Sequence, residues 1–391
     1  MTLVFLISFW IAAAWLVYVY LGYPVSLWLL GFQRRFRPIL QDGFLPKVSV
    51  LISARNEEKD IGWKVAETLN WDYPVDRLEL LVASDASEDR TDEILHSVRD
   101  SRLKFVRMEQ RVGKNVALNH LTNLATGDLL FFTDANSHIE RTCLHKMIRY
   151  FGDAKVGCVT GKDLALEEEA ESSITVGERS YWGYESMIQA LESRLGSVLI
   201  CFGAIFCIRR NLFTPLQSDL ANDLELPMRI GGAGYAVLFE PRACSIEKAT
   251  HSPQEEFNRR RRICGQGILG FWRLRKTLRG LRAWQFVSRK FLRWLSVIPL
   301  VLLLVSSTAL ATHLVFQFLL AVQFVFYALA LVGWLTAIGG RQGRPLVAIP
   351  FYFVLVHLAA VVGIIEIFRG RRFHVWEVAL LTRGTETSSE D

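Results

Sequence analysis

A long uncharged stretch at the start of the chain constrains its fold more than any other feature. Residues 2 to 32 contain no Lys, Arg, Asp or Glu, and arginines follow at positions 34, 35 and 37. A membrane-spanning helix needs about 20 apolar residues, and no small-residue cleavage site follows this stretch. We therefore predict a transmembrane anchor over residues 1–33 rather than a signal peptide. The arginines place the following domain in the cytoplasm, because positive charge collects on that side of a membrane.

A second uncharged region follows the central domain. Residues 297 to 338 again lack Lys, Arg, Asp and Glu, which is enough for two short spans joined near residues 311 to 313. Residues 346 to 365 could form a third, so we predict two to three membrane segments over 294–368 and a polar tail over 369–391. A third full crossing would put the basic sequence FRGRR outside, so one segment is expected to re-enter without crossing.

The basic residues concentrate between positions 257 and 293, beside the membrane segments, in a chain whose net charge is only +6. Residues 266–293 mix Arg and Lys with Leu, Trp and Phe at roughly helical spacing, which predicts an amphipathic helix in the membrane surface. Contact with membrane lipids explains this cluster more simply than a nucleic-acid partner. The six cysteines show no paired spacing, so we predict reduced thiols.

The segment between residues 45 and 265 alternates strand and helix patterns. Apolar and β-branched runs predict strands at 47–53, 78–84, 102–108 and 128–134, and helix-like segments lie between them at 60–69, 88–100 and 114–125. Such alternation favours an α/β fold with a mostly parallel sheet and helices on both faces. No predicted strand is followed by a GxGxxG sequence, and no GxxxxGK[ST] sequence is present, so dinucleotide and P-loop binding lack support.

Polar residues collect where the predicted strands end. Because parallel strands end at the same edge of a sheet, one cleft should gather Glu57, Asp85, Asp134 and Asn136. The oxygens of Asp134 and Asn136, two residues apart in FFTDAN, can face one hard cation of the kind that holds substrate phosphates. The sequence therefore predicts a phosphate-linked metal site at this edge.

The order and spacing of the motifs resemble the membrane-bound branch of family 2 glycosyltransferases, which includes cellulose, chitin and hyaluronan synthases. The resemblance extends over nearly the whole chain and rests on VSVLISARNEE, ASDASEDRT, GKNVALN, FFTDAN, NDLELPM and RRRRICGQG. It implies a GT-A fold, a nucleotide-sugar donor, Mg²⁺ or Mn²⁺ as cofactor, and inversion at the anomeric carbon.

The resemblance also assigns the donor side of the site. It implies that Ala54, Asn56, Glu57 and Asp85 surround a uridine and that Lys114 lies near the diphosphate. Asp134 and Asn136 match the metal-binding DxD motif, with an amide replacing the second acid. The alternatives are that Asn56 and Glu57 cap a helix, that Asp85 is a turn residue, and that Lys114 is a solvated residue at a helix start.

Two further motifs imply the catalytic groups. In NDLELPM, Asp223 matches the general base, and Asn222 replaces the usual acid before it; the alternative is a helix N-cap. Arg259, Arg262 and Ile263 occupy the positions of QxxRW, so the Arg is kept while the Gln and the Trp are not. Arg259 is then expected on the donor side, and Arg262 is expected to neutralise the leaving diphosphate unless the run only meets lipid headgroups.

These observations predict an inverting, metal-dependent glycosyltransferase in the cytoplasmic membrane that uses a UDP-linked sugar. Its acceptor would be lipid-linked or a glycan, which leaves single addition and processive polysaccharide synthesis as two versions of the activity. The missing Trp at Ile263 favours single addition. A non-catalytic nucleotide-binding scaffold is the third hypothesis, and the sugar and the oligomeric state stay open.

Overall fold

One eight-stranded mixed sheet forms the centre of the computed structural model, which describes residues 2–165, 172–247, 252–340 and 342–373. His251 follows the strand-like sequence FEPRACSIEKA and could lend a nitrogen to the metal or be a bystander; it lies outside the described residues, as do residues 374–391 of the predicted tail. The strands are β1 (Val48–Ala54), β2 (Leu78–Ser84), β3 (Leu103–Arg107), β4 (Leu129–Phe132), β5 (His138–Ile139), β6 (Val156–Ala165), β7 (Phe206–Arg209) and β8 (Ala236–Glu247).

The helices of the globular part cover this sheet, and the more apolar ones lie at the two ends of the chain. They are α1 (Thr2–Gln33), α2 (Ile61–Leu69), α3 (Thr91–Ser97), α4 (Lys114–Leu124), α5 (Cys143–Ile148), α6 (Ser173–Arg194), α7 (Asn222–Gly232), α8 (Pro253–Leu274), α9 (Leu281–Trp294), α10 (Val297–Ala309), α11 (Leu314–Ile338) and α12 (Pro345–Phe368).

The strand order β3-β2-β1-β4-β7-β6-β8-β5 divides the sheet into two halves. The first four strands are parallel, which confirms the predicted alternation of strands and helices. Strand β7 runs antiparallel to β4 and β6, and β6 pairs in parallel with the long strand β8. The ends of β4, β6 and β8 therefore contribute to one region of the sheet edge.

The apolar run of β4 is buried on both faces of the sheet. Phe131 and Phe132 are both shielded from solvent, and the ring of Phe132 stacks on Phe206 of β7 with centroids 4.6 Å apart. A central strand covered on both sides reads as a continuous hydrophobic run, as this one does. The strand ends at Phe132 rather than at Asp134, so Asp134 lies in the following turn.

Three helices within the described residues are long and apolar enough to cross a membrane: α1, α11 and α12. The two short spans predicted between residues 297 and 338 differ in length: α10 has 13 residues and α11 has 25. At 1.5 Å per residue α10 extends only about 20 Å, which is less than the thickness of a bilayer core. It meets α9 at a bend of 55°, and the two together form either a broken span or a re-entrant segment.

The globular part and the apolar C-terminal helices pack directly on one another through α8 and α12. A methyl group at Gly363 would lie 2.3 Å from the Arg261 carbonyl oxygen, so a glycine is required at this crossing. Helix α8 begins in the catalytic part and continues past the predicted boundary at residue 265. The residues RRRRICGQG therefore lie on the helix that joins the globular part to the apolar C-terminal helices.

Candidate active site

The loops after β1 and β2 are connected by hydrogen bonds between them. The guanidinium of Arg55 donates to the carbonyl oxygens of Asp85 and Ala86, both at 2.8 Å, and the side chain of Asn56 accepts from the Glu88 amide at 2.9 Å. Asn56 and Ala86 both have φ of 52°, a left-handed conformation that non-glycine residues rarely adopt. Such backbone strain concentrates at binding sites, because the surrounding contacts must enforce it.

The first loop supplies Ala54, Asn56 and Glu57 to this region. Ala54 ends β1, and its carbonyl accepts from the Asp85 amide at 2.8 Å. The N-cap of α2 is Asp60, so the helix-capping alternative for the side chains of Asn56 and Glu57 is wrong. Glu57 is buried, and its amide donates to Thr91 Oγ1 at 2.8 Å, which fixes its position between the two loops.

Asp85 fixes the loop that precedes Lys114. Its side chain is only 4% exposed, and its two oxygens accept from the amides of Val112 at 2.7 Å and Gly113 at 3.0 Å. Gly113 has φ of 88° and is the N-cap of α4. The carboxylate therefore holds a glycine turn and so positions the side chain that begins the next helix, which is more than a local turn residue would do.

Lys114 extends from the start of α4 to the turn after β4. Its ammonium forms an ion pair with the carboxylate of Asp134, and both side chains are largely buried. The alternative of a solvated lysine is therefore wrong. A cation and a carboxylate at the same strand end provide opposite charges for a phosphate group and for its counter-ion.

A buried lysine that the sequence analysis missed supports the turn of residues 134–137. Lys64 on α2 is fully shielded from solvent, and its ammonium donates to the Ser137 carbonyl at 2.5 Å. Burial lowers the pKa of Lys64 to about 8, against the opposing effect of Glu67, which lies 3.7 Å away. Ser137 in turn donates to the Asp134 carbonyl at 2.9 Å, so Lys64 fixes the turn that carries Asp134 and Asn136.

Asp223 lies in the first turn of α7, close to these groups. The N-cap of this helix is Ala221, so the capping alternative for Asp223 is wrong. A methyl group at Gly203 would lie 3.3 Å from Asp223 Oδ2, so the glycine leaves room beside the carboxylate. Burial raises the pKa of Asp223, Lys114 lowers it and the Asp134 carboxylate raises it again. The Asp223 carboxylate is thus easier to protonate than that of an ordinary aspartate.

Two carboxylates from the far half of the sheet join the site. Asp163 near the end of β6 accepts a hydrogen bond from Ser245 at 2.8 Å, and Glu247 ends the parallel neighbour β8. Burial raises the pKa of both groups, to about 7 for Asp163, and the Asp134 carboxylate contributes to both shifts. The sequence analysis missed them, although an acid near the end of the strand-like run VGCVTGKD was a usable signal.

Arg259 and Arg262 lie three residues apart on α8. They therefore occupy neighbouring positions on one face of the helix. Arg259 forms an ion pair with Glu178 of α6 at 2.7 Å, and its guanidinium lies 5.7 Å from the ring centre of Trp182. Its charge also lowers the pKa values of Asp163 and Glu247, so it faces the acidic part of the site. Arg262 is partly buried on the same helix.

The site fits a divalent cation that is shared with a bound phosphate. Among the described residues, no three His, Cys, Asp or Glu side chains form a cluster that could hold a metal by themselves. Asp134 and Asn136 offer one carboxylate and one amide, and Mg²⁺ is commonly held by one or two carboxylates together with substrate phosphates. Burial is the main cause of the raised pKa values of Asp163, Asp223 and Glu247, and the Asp134 carboxylate raises them further; a cation would relieve this repulsion.

Comparison with known proteins shows what part of this chain is similar to. The sequence profile of Glycosyl transferase family 2 matches residues 49–214. A probable glycosyltransferase, YdaM, of Bacillus subtilis is 29% identical over 60% of this chain and 60% of its own length. The beta-monoglucosyldiacylglycerol synthase of Synechocystis is 27% identical over 59% of this chain and 51% of its own. The chain thus spans only about half to three fifths of these relatives.

A solved structure gives the fold. The mannosyltransferase PcManGT of Pyrobaculum calidifontis, in complex with GDP-Man and Mn²⁺, superposes with a TM-score of 0.69 over 90% of this chain and 99% of that one, at 20% identity. The globular part of the present chain has the mixed sheet with flanking helices expected of the GT-A fold that the sequence resemblance implied. Residues 49–214 therefore match a glycosyl transferase family 2 domain, and the globular part of the chain has the GT-A fold.

Proposed function

We propose that this protein is an inverting, metal-dependent glycosyltransferase that transfers one sugar from a UDP-linked donor to a lipid-linked or glycan acceptor. The observation that supports this most is the proximity of Asp223 to the Lys114–Asp134 ion pair, since the charges of both partners act on the Asp223 carboxyl. A base beside a phosphate-binding cation and a metal-binding carboxylate is the arrangement that glycosyl transfer from a nucleoside diphosphate requires.

In this mechanism the donor lies along the loops that follow β1, β2 and β4. Asn56, Glu57 and Asp85 surround the uridine, and Lys114 binds the diphosphate. Asp134 and Asn136 would hold Mg²⁺ or Mn²⁺, which when bound neutralises the charge of the diphosphate. Asp85 acts here partly through Gly113, because it fixes the loop that carries Lys114.

Asp223 takes the proton of the acceptor hydroxyl as that oxygen attacks the anomeric carbon. The bond between this carbon and the diphosphate oxygen breaks on the opposite face, so the configuration inverts and the nucleoside diphosphate leaves. Arg262, with Arg259 one turn before it on α8, neutralises the leaving group. The raised pKa of Asp223 suits this role, since a base accepts protons better as its pKa approaches the working pH.

The acceptor enters from the membrane side. Helix α8 carries Arg259 and Arg262 and packs on α12, so the site adjoins the apolar helices. With the catalytic domain on the cytoplasmic face, a multi-pass protein of the cell membrane would take its donor from the cytosol. Single addition is favoured over polymer extrusion, because Ile263 offers no aromatic face on which a growing chain could stack.

The test is release of nucleoside diphosphate by purified protein in membranes. UDP-glucose, UDP-galactose, UDP-GlcNAc, UDP-glucuronate and GDP-mannose would be offered with Mg²⁺ or Mn²⁺ and a panel of lipid and glycan acceptors. We expect one donor to be turned over, and we expect turnover to stop with EDTA. Silence with every donor, together with retained UDP binding, would favour the scaffold hypothesis instead.

A further inference from the structure

A buried glutamate at the end of α6 connects three parts of the molecule. Glu192 lies in the last turn of α6, and its side chain is fully shielded from solvent. One carboxylate oxygen accepts a hydrogen bond from the hydroxyl of Tyr23 on α1 at 2.6 Å. The other forms an ion pair with Arg289 of α9 at 2.6 Å and accepts from the amide of Leu199 at 3.1 Å. A buried carboxylate needs such partners to compensate for the lost water, so the three contacts stabilise one another.

The amide of Leu199 belongs to the loop of residues 197–203, which contacts the base. The amide of Cys201 in this loop donates to the backbone carbonyl of Asp223 at 2.9 Å. A methyl group at Gly203 would lie 3.3 Å from Asp223 Oδ2, so the end of the loop is beside the carboxylate. The loop that Glu192 holds therefore lies against both the main chain and the side chain of Asp223.

Tyr23 is placed by the packing of α1 against α9. The five residues before it, Tyr18–Gly22, form a π-helical turn, and Tyr23 begins the α-helical part that follows. Single π turns inside α-helices are frequent at functional sites. The ring of Tyr23 is fully buried, and its centroid lies 5.2 Å from that of Trp284 on α9. Because the ring is buried, its hydroxyl keeps a fixed direction towards Glu192.

We propose that Tyr23 is a positioning residue for Asp223, on which it acts through Glu192 and the loop of residues 197–203. This assignment rests on the proposed function, since it takes Asp223 as the base, and it deepens that function by making activity depend on how α1 is docked. Tyr23 fixes the carboxylate of Glu192, and that carboxylate fixes the Leu199 amide. The loop that follows then holds the carboxylate of Asp223 towards the acceptor hydroxyl. Tyr23 and Glu192 touch neither donor nor acceptor in this scheme and exchange no proton.

The test compares two substitutions of tyrosine by phenylalanine on α1, made in the full chain in membranes. Tyr23→Phe removes only the hydroxyl that binds Glu192. Tyr18→Phe is the matched control, because the hydroxyl of Tyr18 lies 2.7 Å from Ser288 Oγ and 2.9 Å from Trp284 Nε1, both on α9. With the donor that the protein turns over, we expect Tyr23→Phe to lower kcat about tenfold and to leave both KM values within about twofold, since an error of about 1 Å at a reacting group can cost about a hundredfold. Tyr18→Phe should keep kcat within about twofold.

Amide hydrogen exchange followed by mass spectrometry tests the same linkage without a donor. Tyr23→Phe should speed exchange in peptides that cover residues 197–203 by at least about threefold, because the acceptor of the Leu199 amide is no longer fixed. Tyr18→Phe should leave these peptides unchanged. Peptides from β1 should exchange as in the wild type in both variants, which shows that the fold is intact.

Four results would overturn the proposal. Unchanged exchange over residues 197–203 in Tyr23→Phe would show that Tyr23 does not hold the loop, whether or not the protein transfers a sugar. Faster exchange there with an unchanged kcat would show that the loop does not position Asp223. An equal fall of kcat in both variants would assign the effect to the docking of α1 as a whole, and faster exchange that includes β1 would assign it to general stability.

Failure of the proposed function gives a different result. If the loop exchanges faster in Tyr23→Phe but the wild type turns over no donor, the linkage from Tyr23 to the loop stands and the glycosyltransferase activity is contradicted.

Discussion

The ammonium of Lys114 forms an ion pair with the carboxylate of Asp134. Lys114 is the first residue of α4, and Asp134 lies in the loop that follows β4, so the pair connects two separate elements. Asp85 holds the Gly113 turn on one side of this pair, and Lys64 holds the Ser137 carbonyl on the other. The pair is therefore positioned from both sides before any donor binds. Such preorganisation is what electrostatic stabilisation of a leaving diphosphate requires.

Replacing Lys114 by methionine should weaken donor binding. The substitution removes the cation for the diphosphate and leaves Asp134 without its partner, so we expect the donor KM to rise about tenfold or more. Lys114→Arg keeps the charge and should recover part of the loss. The exposed Lys59→Met serves as the control. An unchanged KM in steady-state assays would show that the diphosphate does not contact Lys114.

Replacing Asp223 by asparagine should remove the base and keep the shape of the site. General base catalysis typically contributes about a hundredfold to ten-thousandfold, so kcat should fall by that range while UDP affinity stays within about twofold. Asp76→Asn, at an exposed position of the same domain, should change neither quantity. Full activity of Asp223→Asn in the UDP-release assay would show that another residue is the general base, and Asp163 and Glu247 would be the next candidates.

Asp85→Ala should lower stability as well as donor binding. The substitution leaves the amides of Val112 and Gly113 without their acceptor in a buried turn, which costs about 2–3 kcal/mol of unfolding free energy. Asp85→Asn keeps one acceptor oxygen and should cost less. Thermal unfolding, monitored by circular dichroism, ranks the wild type, Asp85→Asn and Asp85→Ala by their unfolding midpoints. A donor KM that rises with no change in the unfolding midpoint would assign Asp85 to the nucleotide alone.

The acidic group of the site should make stability depend on pH and on metal. Because the pKa values of Asp163, Asp223 and Glu247 are raised, the folded protein keeps protons that the unfolded chain has released. These groups therefore lower stability as the pH rises from about 4 towards the raised values, near about 7 for Asp163.

A bound cation should reverse this effect. We expect Mn²⁺ with UDP to raise the unfolding midpoint more at about pH 8, where the carboxylates are ionised, than at about pH 5. Asp163→Asn should flatten the pH dependence without the ligand. The same midpoint shift at both pH values would argue that the cation binds away from this group. Differential scanning fluorimetry with and without EDTA provides the comparison.

The sequence predicted the parallel half of the sheet well, because each of its strands is a short apolar run that ends in a polar loop. Strand β2 begins and ends at the predicted residues, and β1 lies one residue from its prediction. Strand β6 was missed because it is longer and carries charged residues such as Lys162, and β8 was indicated only in part, by the strand-like run FEPRACSIEKA. Their pairing joins residues about 80 positions apart, which local periodicity does not reveal.

The candidate site shows the same limit. Residues in loops directly after predicted strands, such as Asp85 and Asp134, were identified because parallel strands end at one edge. Lys64, by contrast, reads as an ordinary polar position of an amphipathic helix, and only the fold brings it to Ser137. The ion pairs of Glu185 with Arg289 and Arg293 of α9 join residues about 100 positions apart, so local sequence does not reveal them.

Product length should separate the two versions of the activity. Polymerisation requires the product to stay bound between additions, and an aromatic face that stacks on a sugar ring serves that purpose, whereas the residue at this position is Ile263. We therefore expect mass spectrometry to find one added sugar per acceptor at all times of reaction, even with excess donor. Ile263→Ala, which also lacks an aromatic ring, should give the same single product. A ladder of masses from the wild type that persists in Ile263→Ala would mean that other groups retain the chain, and the protein would then be a polysaccharide synthase.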